Sequence, residues 1–234
     1  WSMASGGEKP HWAFQPIGNP KPPKVDGKAW VKNPIDRFIL AKLEANNLKP
    51  APHATKQTLN RRAHFILTGL PPKPTDGPLA PHKKLVDHLL ASPGYGEHWG
   101  RHWLDVARYA DNKGYVFFEE KSFPWAWTYR DYVIRSFNED KPYDRFVMEQ
   151  IAGDELTDVD NDSLIATGFY RLGVWDDEPD DPRAAEFEGL DDMLKTTSET
   201  FMGLTVGCAR CHDHMFDPIS QRDYYEMLAF FRNV

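Results

Sequence analysis

The chain has 234 residues, of which 41% are hydrophobic, 27% charged and 13% aromatic, and 28 Lys and Arg stand against 35 Asp and Glu for a net charge of −7. That balance excludes a phosphate-tracking nucleic-acid binder, which needs a basic face, and apolar runs such as Phe38-Ile39-Leu40-Ala41 fall far short of the roughly 18–20 residues that span a bilayer. The length suits one large domain or two small ones, and the 19 prolines, above the usual ~5%, predict many fixed loops between short elements.

The first residues, Trp1-Ser2-Met3-Ala4-Ser5-Gly6-Gly7, have neither the basic region nor the apolar stretch of a signal peptide and read as a processed end or a cloning remnant. Residues 1–33 form an extended strap or linker, Pro- and Lys-rich from residue 8, with Trp12 and Phe14 as anchors. Asn33-Pro34 then supplies an N-cap and a first-turn proline. Ile35, Phe38, Ile39 and Leu43 follow at helical spacing, and Asn46-Asn47 closes that helix. A second helix starts at Thr55, with Leu59, Ala63, Ile66, Leu67 and Leu70 inward, and stops at Gly69 and Pro71-Pro72.

Leu79–Leu90 is another amphipathic stretch, and Ser92-Pro93-Gly94 reads as a turn. Residues 95–110 form a helix carrying His98, Trp99, His102, Trp103, Val106 and Tyr109. Further helices are expected at 124–138, 142–151, 163–170 and 190–205. Ser220-Gln221-Arg222-Asp223 is a capping-box pattern before a last helix with Tyr224, Leu228 and Phe231. No run of alternating β-branched residues appears. The expected fold is all-α: many short helices, long Pro-rich connections, an N-terminal strap, and residues 34–234 as a single domain. The abrupt end at Phe231-Arg232-Asn233-Val234 marks the chain as a piece of something longer.

Both cysteines of the chain fall in Cys208-Ala209-Arg210-Cys211-His212. With two cysteines and nine histidines placed at random, this arrangement has roughly one chance in 3,000, and it is the attachment signature of c-type haem. Two thiols add across the porphyrin vinyl groups, a two-residue spacer presents both sulfurs to one edge, and the adjacent His212 ligates iron. Three other readings compete. The pair could be a redox dithiol, although no βαβ unit surrounds it, or a local disulfide. It could also be half of a zinc site completed by His214 and a distant His. His214 lies too close to His212 to reach the opposite face of a porphyrin, which leaves it a propionate, a second metal or a loop hydrogen bond; Met215 meets the same objection.

A sixth iron ligand would therefore come from elsewhere. His98 and His102 share a helical face with Trp99 and Trp103, which suits a distal haem face but equally an ordinary core. Met148, Met193 and Met202 are further candidates. The acidic stretch 174–192 lacks EF-hand spacing and reads as a solvated loop. Asp105, Arg108 and Asp111 could form an ion network or acid–base machinery, and Trp125, Trp127 and Tyr129 could stack on sugars or anchor packing.

Several long stretches resemble the planctomycete cytochrome-type domain of unknown function. They are His11-Trp12-Ala13-Phe14, Ile35-Asp36-Arg37-Phe38-Ile39, Leu67-Thr68-Gly69-Leu70-Pro71-Pro72 and His102-Trp103-Leu104-Asp105-Val106-Ala107-Arg108-Tyr109-Ala110-Asp111. Tyr129-Arg130-Asp131-Tyr132-Val133-Ile134, Asp140-Lys141-Pro142-Tyr143-Asp144-Arg145-Phe146 and Gly203-Leu204-Thr205-Val206-Gly207-Cys208-Ala209-Arg210-Cys211-His212-Asp213-His214 complete the set. The resemblance implies an exported, multidomain bacterial protein and a haem c in an electron-transfer or oxidative setting, with no defined substrate. His102, Asp105 and Arg108 match the family motif, whereas His98 stands where a basic residue is more usual, which favours His102.

The expectation is a periplasmic or cell-surface domain with one covalent haem c. Cys208 and Cys211 form its thioethers, His212 and His102 are its iron ligands, His214 lies beside them, and other redox domains or cytochromes are partners. A haem-dependent oxidase or peroxidase, acting on polysaccharide-derived substrates with Asp105 and Arg108 in catalysis, is the enzymatic alternative. A scaffold or glycan-binding module with a zinc-bound or disulfide-bonded Cys pair is the non-enzymatic one.

Overall fold

The computed structural model describes residue 13 and residues 15–73, 81–112, 123–173 and 179–233. Trp12 and Phe14, the expected strap anchors, lie outside them, as does most of the acidic stretch before residue 179. The described residues are helical and contain no sheet, as the absence of strand patterning required. The chain divides into two compact units, residues 1–55 and 56–234.

The first unit holds α1 (Pro34–Ala45). The Asn33 side chain accepts from the Asp36 amide at 3.1 Å, and the Asp36 carboxylate accepts from the Asn33 and Lys32 amides. This reciprocal cap satisfies the orphan donors of the first turn, and Pro34 begins the helix where its missing N–H costs nothing. Asn47, at φ 56°, turns the chain away after the helix. Within this unit the Glu44 carboxylate accepts from the Asp26 and Gly27 amides, which pins residues 26–27 of the strap to α1.

The second unit contains α2 (Lys56–Thr68), α3 (His82–Leu90), α4 (Pro93–Val106), α5 (Ala126–Asn138), α6 (Tyr143–Ala152), α7 (Asn161–Ala166), α8 (Pro182–Thr197) and α9 (Gln221–Phe230). Helices α4 and α5 pack along each other. They approach closely because Gly96 and Gly100 face α5: a Cβ on Gly96 would stand 2.4 Å from the Ile134 carbonyl oxygen. Asn138 caps the approach by accepting from the Gly96 amide at 2.8 Å.

Trp103 of α4 is the centre of an aromatic core, edge-on to Phe146 at 4.7 Å and beside Phe169 and Phe201. Its indole N–H donates to the Tyr129 hydroxyl, which donates to Gln150 Oε1 at 2.6 Å. The polar tips are thus satisfied while the rings stay buried. Below this lies Glu149, 3% exposed, which accepts from the Tyr132 hydroxyl, Lys141 and Arg145.

Several boundaries differ from the sequence reading. Ser92-Pro93-Gly94 is the start of α4, because Pro at the first helical position is preorganised for the helix. Helix α4 ends at Val106 rather than 110, and Arg108 takes the left-handed conformation at φ 62°. The second helix starts at Lys56, and Ile66 and Leu70, expected inward, are exposed.

The acidic stretch 174–192 is not a loop to its end. Asp181 accepts from the Arg183 and Ala184 amides and starts α8 at Pro182. The expected helix 190–205 is the second half of α8 followed by a single π turn, Ser198–Met202, which Gly203 closes in the left-handed conformation. The element at 163–170 is α7 followed by a 3-10 turn, Thr167–Arg171, and begins earlier because Asp160 and Ser163 form a capping box.

Candidate functional site

The CxxCH segment occupies a 3-10 turn, Val206–Arg210, and the loop that leads to α9. Side chains alternate between two duties. Val206, Ala209 and Ile219 enter the core, whereas Cys208, Cys211 and His212 are exposed. Both cysteines are free thiols.

Hydrogen bonds brace this loop at every few residues. The Cys208 amide donates to the Thr205 carbonyl, and the His214 amide donates to the Ile219 carbonyl. Asp213 accepts from the Gln221 amide, while the Arg210 carbonyl accepts from Gln221 Nε2 and the Tyr225 hydroxyl. The start of α9 therefore holds the motif from one side. Its own N-terminus is fixed by the Ser220–Asp223 capping box that the sequence announced.

The other side is held by Asp191 of α8. Its carboxylate, 4% exposed, accepts from the Tyr224 hydroxyl at 2.6 Å and pairs with Lys195 at 2.9 Å and with Arg210 at 3.1 Å. Burial alone would raise the Asp191 carboxyl, but the Tyr224 hydroxyl and Lys195 outweigh it and hold it below the usual carboxylate range. Arg210, inside the CxxCH motif, is thereby clamped to the body of the fold.

The two histidines of the loop have separate roles. His212 Nδ1 donates to the Asp213 carbonyl at 2.7 Å. That leaves Nε2 as the lone-pair nitrogen, with no hydrogen-bond partner among the described residues. A backbone carbonyl that fixes the tautomer in this way is the usual arrangement of a metal-ligating imidazole. His214 has no nitrogen to spare. Its Nδ1 accepts from the Phe216 and Asp217 amides, so the proton is on Nε2, which donates to Thr205 Oγ1 at 2.9 Å. Its side chain is 6% exposed, and it organises the 214–217 turn. Of the uses open to it from sequence, the loop hydrogen bond is the one the structure places.

The zinc arrangement of Cys208, Cys211, His214 and a distant His is not assembled. Among the described residues no group of three or more His, Cys, Asp or Glu side chains is gathered to hold a metal ion. The thiols and His212 do suit a covalently attached haem, since the sulfurs are free and exposed and the imidazole tautomer is set.

The residues of α4 stand apart from this loop in their bonding. His102 is exposed, and its ring contacts are His98 at 5.2 Å and Trp99 at 5.5 Å on its own helix. Burial, then the neighbouring charges of His102 and Arg101, push the His98 imidazole down. Asp105 is exposed. Arg108 pairs with Asp192 of α8 and donates to the Phe169 carbonyl, and burial lowers its guanidinium. It ties the end of α4 to α8, a role invisible in sequence because 84 residues separate the partners. Trp125 and Trp127 are exposed and lie 6.3 Å apart.

Together these features define a helical domain that presents two thiols and an imidazole on a cross-braced surface loop. The chain belongs to the PSCyt2 family, described as a protein of unknown function (DUF1549), whose model matches residues 34–234. No curated protein and no solved structure matches it.

Proposed function

We propose that the chain is a c-type haem domain that passes electrons within a larger, exported redox protein. The observation that carries this reading is the state of the motif: two free, exposed thiols beside an imidazole whose Nδ1 is bonded to a carbonyl. Haem attached there supplies one-electron redox chemistry at its iron. Cys208 and Cys211 tether it, His212 offers Nε2 as axial ligand, and Asp191 with α9 fixes the orientation of all three. His102 is the proposed distal residue, since it forms no hydrogen bond among the described residues and its imidazole is uncommitted. A periplasmic or cell-surface location, and redox domains or cytochromes as partners, belong to the same proposal.

Pyridine haemochrome analysis of the purified, denatured chain tests it: one haem per chain remains bound to the polypeptide. Iron-free protein, or pigment released by acidified acetone, refutes it. Replacing His102 with Ala turns a low-spin ferric spectrum high-spin on this assignment, and an unchanged spectrum removes His102 from the ligand set.

A further inference from the structure

The loop that carries the motif also carries apolar surface that the fold does not use. Met215 is 75% exposed and Phe216 84% exposed. They come three and four residues after His212, and nothing in their own turn covers them. Large side chains singly exposed are ordinary, but two adjacent ones at a built loop mark a place where something apolar sits.

Their presentation is specified. The His214 imidazole takes up the Phe216 and Asp217 amides and reaches across to Thr205 Oγ1. The Thr205 carbonyl in turn accepts from the Cys208 amide. One buried ring therefore links the turn bearing Met215 and Phe216 to the turn bearing the first thiol. Residues 205–221 divide cleanly: Val206, Ala209, His214 and Ile219 face inward, and Cys208, Cys211, His212, Met215 and Phe216 face outward.

We infer that Met215 and Phe216 form the apolar seat of a porphyrin tethered at Cys208 and Cys211, and that His214 is the positioning residue that presents them. This rests on the haem reading above. The occupant is set by continuity, because the same short loop holds the two attachment points, the axial imidazole and the two apolar side chains. A planar tetrapyrrole bound by thioethers needs one more thing from its protein: apolar cover that keeps water from its edge. A thioether and a phenyl ring supply that cover, the first with a polarisable sulfur suited to an aromatic face. Cover of this kind favours the less charged ferrous state, because burial and dielectric tune a haem potential.

The test compares the wild-type chain with Met215→Ser/Phe216→Ser and with Phe216→Leu, all produced in cells supplied with c-type haem attachment machinery. Readouts are covalent haem per chain, midpoint potential, and the thermal midpoint of the haem-free forms. The double variant keeps its haem, since thiols and His212 are untouched. Its ferric/ferrous equilibrium shifts about tenfold toward ferric, a fall of about 59 mV for one electron. Phe216→Leu, which stays apolar, keeps the wild-type potential.

Wild-type chain without covalent haem refutes the functional reading, and this inference falls with it. Haem-loaded wild type with an unshifted double variant overturns the seat alone. If the double variant also loses thermal stability, Phe216→Leu decides: an unchanged potential supports the seat, and a potential as low as the double variant's overturns it.

Discussion

Replacing Asp191 with Asn removes one charge from the grip on the CxxCH loop while keeping its shape. The Asn carbonyl still accepts from the Tyr224 hydroxyl, so the loss there is the difference between a charge-assisted and a neutral hydrogen bond, about 1 kcal/mol. Lys195 and Arg210 are each nearly half exposed, so solvent screening limits each ion pair to the surface range of ~0–1 kcal/mol. The sum is about 2 kcal/mol. For the unit formed by residues 56–234, that lowers the thermal midpoint by about 4–8 °C.

The pH dependence has a definite sign. The folded Asp191 carboxyl lies below its ordinary value, so the stabilisation is fully present above the unfolded value of about 3.9 and is lost as pH falls through the folded one. Calorimetric scans of wild type and Asp191→Asn should therefore run parallel around neutrality and converge in acid. Equal midpoints at neutral pH, or a gap that persists in strong acid, would show that Asp191 does not hold the loop through its charge.

Glu149→Ala leaves Lys141 without its buried counter-charge and Tyr132 without its acceptor, and urea titration should show a loss of about 3–5 kcal/mol. At Arg108 the backbone is left-handed, so Arg108→Gly should be more stable than Arg108→Ala by about 1 kcal/mol, although both lose the Asp192 pair; thermal melts of the two variants check the order. Gly69 has φ 70°, and a Cβ there meets His98 Nδ1 at 2.5 Å. Gly69→Ala should cost about 1–3 kcal/mol, and adding His98→Ala should recover the steric part but not the backbone part; full recovery would refute the conformational share.

Local chemistry was legible wherever the partners are neighbours in the chain. Asn33 with Asp36, and Ser220 with Asp223, announce their helices because a cap is a three-residue event. The CxxCH motif is legible for the same reason. Asp181-Pro182 is an equally good start signal, but it lies within a run of carboxylates, and charge density there suggested solvated loop. Long-range partners leave no such trace. Nothing near Arg210 points to Asp191, and nothing near Arg108 points to Asp192, because packing of α8 against the rest of the unit brings them together. His214 shows the limit most plainly: its spacing from His212 fits several uses, and only the amides and hydroxyl around its ring select one.

The π turn at Ser198–Met202 makes distance along the chain a structural quantity. In it the Gly203 amide reaches back five residues to the Ser198 carbonyl, one more than ordinary helical winding allows. Deleting any single residue between Thr197 and Gly203 would let α8 rewind in its normal pitch and swing the downstream chain by about 100°. Thiols and imidazole would survive the deletion intact yet point elsewhere, with Arg210 carried off its anchor. Most surface connections absorb a gain or loss of one residue; this linker is a gauge block, and its tolerance is zero.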